Sequence, residues 1–103
     1  MKQMYSIKGR YIMNSNYNFE KEFNNLKFSI KNYCIGNEIA KCRIKSGLDK
    51  FQTAQYLNIS VTELNQYENG EKEVFPEHLY MLSKLFNVNI DIFFSSLNSF
   101  DLK

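Results

Sequence analysis

The chain has 103 residues, 44% of them hydrophobic and 23% charged, with a formal net charge of +2, which suits one ordinary globular domain. No apolar run approaches the ~18 residues of a membrane span, and the N-terminal stretch lacks a signal peptide's apolar segment, so the expected location is the cytoplasm. Two cysteines, Cys34 and Cys42, and a single histidine, His78, make neither a disulfide framework nor a four-ligand zinc site, so no metal or cofactor is expected.

Residues 1–32 read as a basic N-terminal extension, since residues 1–34 hold six basic side chains against two acidic ones. Phe19, Phe23, Leu26 and Ile30 recur at a helical spacing that begins near residue 18. Leu26, Phe28 and Ile30 also alternate as a strand would. A domain is expected over 33–96. Its first helix, 33–46, sets Ile35, Ile39 and Cys42 on one face, with Cys42 read as a small hydrophobe of the core. Gly47 ends that helix because glycine takes positive φ without a Cβ penalty.

Asp49 then caps a second helix over 50–57, which turns Ala54 and Leu57 inward. Asn58 tolerates the left-handed conformation of a tight turn, and Ile59 enters the core. Ser60 caps a third helix that runs to Asn69 and stops at Gly70. Ser60 and Glu63 have the spacing of a reciprocal capping box, and Leu64 and Tyr67 are the buried positions. Pro76 opens a fourth helix with Leu79, Leu82, Leu85 and Phe86 as its apolar stripe. A turn at 87–89, a last short helix over 90–94 and a tail over 97–103 complete the chain.

Two short helices joined by a tight turn describe a helix-turn-helix. The residues Ile39, Arg43, Gly47, Leu48, Ala54, Leu57, Ile59, Ser60 and Leu64 carry a closer likeness. It continues through Tyr67-Glu68-Asn69-Gly70, Leu79, Leu82, Val88 and Phe93. Over 35–94 the chain resembles the phage repressor and Cro-type (XRE) helix-turn-helix family. The resemblance implies an all-α, five-helix, lambda-repressor-like DNA-binding domain whose third helix enters the major groove.

Val61, Thr62, Asn65 and Gln66 are expected on the outer side of that helix, and the resemblance assigns positions 61, 62 and 66 to base edges. Gln66 can pair with adenine, while Val61 and Thr62 can meet thymine methyl groups, which suits an A/T-rich operator. Backbone contacts are expected from Lys50, Ser60, Asn69 and Lys72. The resemblance also implies a structural ion pair between Arg43 and Glu68. Lys50 stands where the family has Gln, Thr53 where it has Leu, and Val74 where Pro is common. No Lys or Arg lies between Phe51 and Gly70, and Glu63 adds negative charge near the groove.

The expected function is a sequence-specific transcriptional regulator, a repressor acting as a homodimer on a palindromic site. Candidate dimer surfaces are the stripe of Phe19, Phe23, Leu26 and Ile30, or Ile92, Phe93, Phe94 and Leu97. Lys2, Lys8 and Arg10 read equally as a basic arm suited to phosphates or a minor groove and as a disordered basic tail. The alternative is a protein-interaction module, antitoxin-like or anti-regulatory, whose neutral helix-turn-helix has weakened or lost DNA binding. No enzyme is expected, because His78 lacks an evident catalytic partner and no Gly-rich phosphate loop is present.

Overall fold

A computed structural model describes residues 19–99. They form α1 (Phe19–Lys45), α2 (Lys50–Leu57), α3 (Val61–Glu68), α4 (Pro76–Phe86) and a terminal 3₁₀ helix, Ile90–Ser99, with no strand among the described residues. The fold of the described residues is therefore all-α, with five helices. No described helix is long and apolar enough to cross a membrane. The basic arm of Lys2, Lys8 and Arg10 and the tail beyond 99 lie outside the described residues.

α1 is a single helix of 27 residues, so the extension and the first helix of the domain are continuous through residues 32 and 33. No Gly or Pro interrupts residues 19–35, and the alternation of Leu26, Phe28 and Ile30 does not make a strand. Glu20 and Glu22 lie in the first turn and Arg43 and Lys45 in the last, the arrangement that complements the helix dipole. At about 1.5 Å per residue α1 is about 40 Å long, which explains a molecule of 52 × 27 × 20 Å. Residues 20–31 are exposed or half-buried, and burial starts at Asn32.

The C-terminal part of α1 packs across α3 and the 3₁₀ helix. Gly36 makes this possible. A Cβ there would lie 2.1 Å from the Tyr67 carbonyl oxygen and 2.9 Å from that of Glu68, so no other residue allows the two backbones to touch. Gly70 (φ 76°) does the same on the other side of the crossing, where a Cβ would meet the Tyr33 Cα at 2.6 Å. Around this contact Ile35, Ile39, Leu57, Tyr67, Val74, Leu79, Leu82, Phe86 and Phe93 form one core. Phe93 is fully buried and meets Phe86 edge to face, with ring centroids 6.4 Å apart.

Two local readings of the sequence need correction. The reciprocal capping box belongs to α2: the Asp49 side chain accepts from the Gln52 N–H at 2.7 Å, and the Asp49 N–H donates to the Gln52 side chain at 2.9 Å. At α3 the Ser60 hydroxyl accepts from the Glu63 N–H at 3.0 Å, but the Glu63 carboxylate turns away to Lys72. An ammonium is a stronger partner for a carboxylate than a neutral amide, so the ion pair wins. The last helix is a 3₁₀ helix extending to Ser99, beyond the expected end at 94. Cys42 packs half-buried against the core, as its reading as a small hydrophobe expects, and Cys34 is buried as well, at 3% exposure. Burial pushes both thiols up, so neither is poised as a nucleophile.

Candidate nucleic-acid interface

The geometry of the helix pair starts from its caps. Asn58 takes φ 59° and ψ 44°, and its N–H reaches back to the α2 carbonyls while the Ile59 N–H donates to the Ala54 carbonyl at 3.0 Å. The turn therefore satisfies the last carbonyls of α2 within three residues of the first residue of α3. Thr53 is wholly buried, and its hydroxyl donates to the Asp49 carbonyl at 3.0 Å. That bond explains how a threonine fills a position where the related family carries leucine: its one donor is satisfied locally.

α3 buries Leu64, Tyr67 and Glu68 and turns its remaining residues outward. Val61 and Thr62 are exposed, Gln66 is half-buried on the same outer side, and Asn69 is exposed as the C-cap. Asn65 departs from this group. It is half-buried on the flank of the helix. Its Oδ1 is buried with no hydrogen-bond partner. Lys50 and Ser60 are exposed at the two helix N-termini, where free amide groups are available to an anion.

Lys72 is engaged. Its ammonium pairs with the Glu63 carboxylate and lies 5.7 Å from the centroid of the Tyr67 ring. The hydrogen bond to Glu63 holds the Lys72 ammonium above the ordinary lysine range. The charge is thus locally neutralised. Lys50 has no ion pair among the described residues.

Behind the surface, Arg43 and Glu68 form a bidentate pair. Arg43 Nε donates to Glu68 Oε2 at 2.6 Å and Nη2 to Oε1 at 3.2 Å, while Nη1 donates to the Leu48 carbonyl at 3.0 Å. The two side chains are only 10% and 5% exposed. The pair ties the end of α3 to α1 and to the loop that leads into α2, which fixes the slant of α3 on the body.

Two supporting contacts have no clear sequence signal. The Tyr67 hydroxyl shares a hydrogen bond of 2.7 Å with His78 Nδ1, joining α3 to α4. Burial pushes the Tyr67 phenol up, so it stays neutral. Glu38 on α1 accepts from the Ser96 hydroxyl at 2.9 Å and pairs with Lys41 at 3.1 Å. Burial alone would raise its pKa, but the bonds from Ser96, Lys41 and Ser95 together hold the carboxyl below its usual range. Helical periodicity marks only apolar faces, so polar contacts across 11 or 58 residues of sequence leave no trace in it. Among the described residues no group of three or more His, Cys, Asp or Glu side chains could hold a metal ion.

Comparison with known proteins agrees with this architecture. A family model described as helix-turn-helix matches residues 39–93. A protein of Rhodospirillum rubrum described as an uncharacterized transcriptional regulator in the ATPase CF(0) region is 30% identical over 67 residues, covering 65% of this chain. The match spans 62% of that relative's length. No solved structure gives a significant match. The chain belongs to the XRE-type helix-turn-helix family, a family of DNA-binding regulators and not of enzymes.

Proposed function

We propose that this protein is a sequence-specific transcriptional regulator that binds A/T-rich operator DNA as a homodimer and represses transcription from the cytoplasm. One observation carries the reading: α3 is held rigidly by the buried Arg43–Glu68 pair while Val61, Thr62 and Gln66 remain on its outer side. In this reading Gln66 pairs with adenine and the methyl groups of Val61 and Thr62 meet thymine. Lys50, Ser60 and Asn69 contact the sugar-phosphate backbone, and Lys72 joins them once Glu63 releases it. Asn65, with its buried Oδ1, serves the edge of the site and not its centre.

A protein-interaction module is the second reading. The neutralised Lys72 favours it, because non-specific DNA affinity comes from cations that displace counterions. Titration of DNA from the protein's own upstream region across a salt series separates the two. Selective binding that weakens steeply with salt supports the regulator. Binding seen only at low salt, with no preference over scrambled DNA, supports the interaction module. Gln66→Ala should relax base preference at one position of each half-site by about 1–3 kcal/mol while leaving the thermal midpoint unchanged. A large fall in thermal stability would show that Gln66 serves the fold and not the groove.

A further inference from the structure

We propose that the projecting part of α1, residues 20–33, pairs with the same segment of a second copy of this chain as a short parallel two-stranded coil. The proposal rests on the homodimer put forward above and names its surface.

Phe23, Leu26, Ile30 and Tyr33 follow one another at spacings of three, four and three residues, the a/d repeat that keeps a seam facing a partner helix. Phe23, Leu26 and Tyr33 are 51%, 56% and 57% exposed, and Ile30 is half-buried. The segment's own chemistry favours a partner. Asn24, Asn25 and Ser29 are indifferent helix formers, and a helical stretch of about a dozen residues is marginal in water without packing.

Charge decides the direction. Glu22 flanks the stripe on one side and Lys27 on the other, five residues apart, which are the g and e positions of successive heptads. In a parallel pair each Glu22 faces the second copy's Lys27, so the two-fold axis makes two such contacts. The Lys27 ammonium already lies at the edge of the stripe, 5.5 Å from the centroid of the Phe23 ring. A parallel coil also delivers both helix-turn-helix units to the same end of the rod, as a two-fold-symmetric DNA site needs, whereas an antiparallel one would separate them.

The seam is small. Four half-exposed aromatic rings from the two copies, at about 150–250 Å² per fully buried ring, leave it below the ~1,200 Å² of a strong independent interface even with Leu26 and Ile30 added. The dimer is therefore concentration-dependent and is reinforced by a palindromic DNA that engages both copies.

Sedimentation of the full chain without DNA, from micromolar to millimolar concentration, tests the inference. The wild type should shift from monomer to dimer across that range. Leu26→Asp should weaken association by more than about a hundredfold, since both copies lose the contact. Phe28→Ala, at an exposed position off the stripe, should leave association unchanged. Glu22→Lys should weaken it, and adding Lys27→Glu should restore it. Melting curves for each variant show that residues 35–94 remain folded. A dimer that survives Leu26→Asp overturns this interface and leaves the homodimer intact. A double charge swap that fails to restore association overturns the parallel register. A wild type that stays monomeric alone and on palindromic DNA overturns the homodimer and this surface with it.

Discussion

Replacing Arg43 with methionine removes the cation that neutralises Glu68 and leaves the apolar length of the side chain in place. Glu68 is 5% exposed at its side chain and would keep neither of its two guanidinium bonds, of 2.6 and 3.2 Å. Its carboxylate must then stay charged without a partner or take up a proton, and breaking one side of a buried pair typically costs ~3–5 kcal/mol. A domain of this size has roughly 5–15 kcal/mol of total stability, and 1 kcal/mol moves its midpoint by about 4–8 °C. A fall of roughly 12–40 °C is expected, which leaves part of the population unfolded at growth temperature.

Glu68→Leu should be similarly harmful, because it strands the guanidinium. The double variant Arg43→Met/Glu68→Leu removes both charges together and should recover most of the loss. The Leu48 carbonyl, which now accepts from Nη1 at 3.0 Å, would still lack that donor and hold the double variant about 1 kcal/mol below wild type. Urea unfolding followed by circular dichroism measures all four corners of this cycle. Additive losses in the double variant, or a single loss below about 1 kcal/mol, would refute the assignment of a buried, coupled pair. DNA binding by Arg43→Met should fail in proportion to the unfolded fraction, since neither charge reaches the surface.

Glu63→Gln should free Lys72 and increase the magnitude of the salt slope of DNA binding by about 0.9, one phosphate contact, with Lys72→Ala in that background reversing the gain. An anisotropy salt series that shows the same slope for wild type and Glu63→Gln would exclude Lys72 as a masked phosphate ligand. Gly36→Ala ordinarily favours a helix interior by roughly 1 kcal/mol, but here the Cβ would lie 2.1 Å from a backbone oxygen. The overpacking penalty of about 1–3 kcal/mol should win, and a variant more stable than wild type in urea would show that α1 and α3 can separate freely. Glu38 has a folded pKa below its unfolded value of ~4.3, so its contribution is complete above that value and is lost as the pH falls through the folded pKa. The gap in melting temperature between wild type and Glu38→Gln should accordingly be widest near neutrality and close in acid, and a gap independent of pH would contradict the depressed carboxyl.

The local signals were legible because caps and apolar periodicity act over only a few residues. Asp49, Asn58, Ser60, Gly70 and Pro76 each set a chain direction by their own backbone or side-chain bonding, and the stripe of Leu79, Leu82 and Phe86 follows one helical face. The spacing of Glu63 fits a cap, but its partner, Lys72, arrives only when α3 and the following loop are in place. Opposition to Leu64 and Tyr67 predicts an outward Asn65, yet the buried flank of a short helix packed on both α1 and α2 is wider than two buried positions suggest.

By itself the sequence determined an all-α helix-turn-helix of five helices and the outward positions of Val61, Thr62 and Gln66, since these depend on residue type and period. Beyond the helix caps and the Arg43–Glu68 pair that the family resemblance implied, only the tertiary structure decided which polar groups meet. It brought Gly36 against the α3 backbone, Tyr67 to His78, Ser96 to Glu38, and Lys72 to the carboxylate that masks it. It also left the front of α1 projecting with an apolar seam uncovered. The physical reason is that hydrogen bonds and ion pairs are short-ranged and directional, so their partners are chosen by packing and leave no period in the chain.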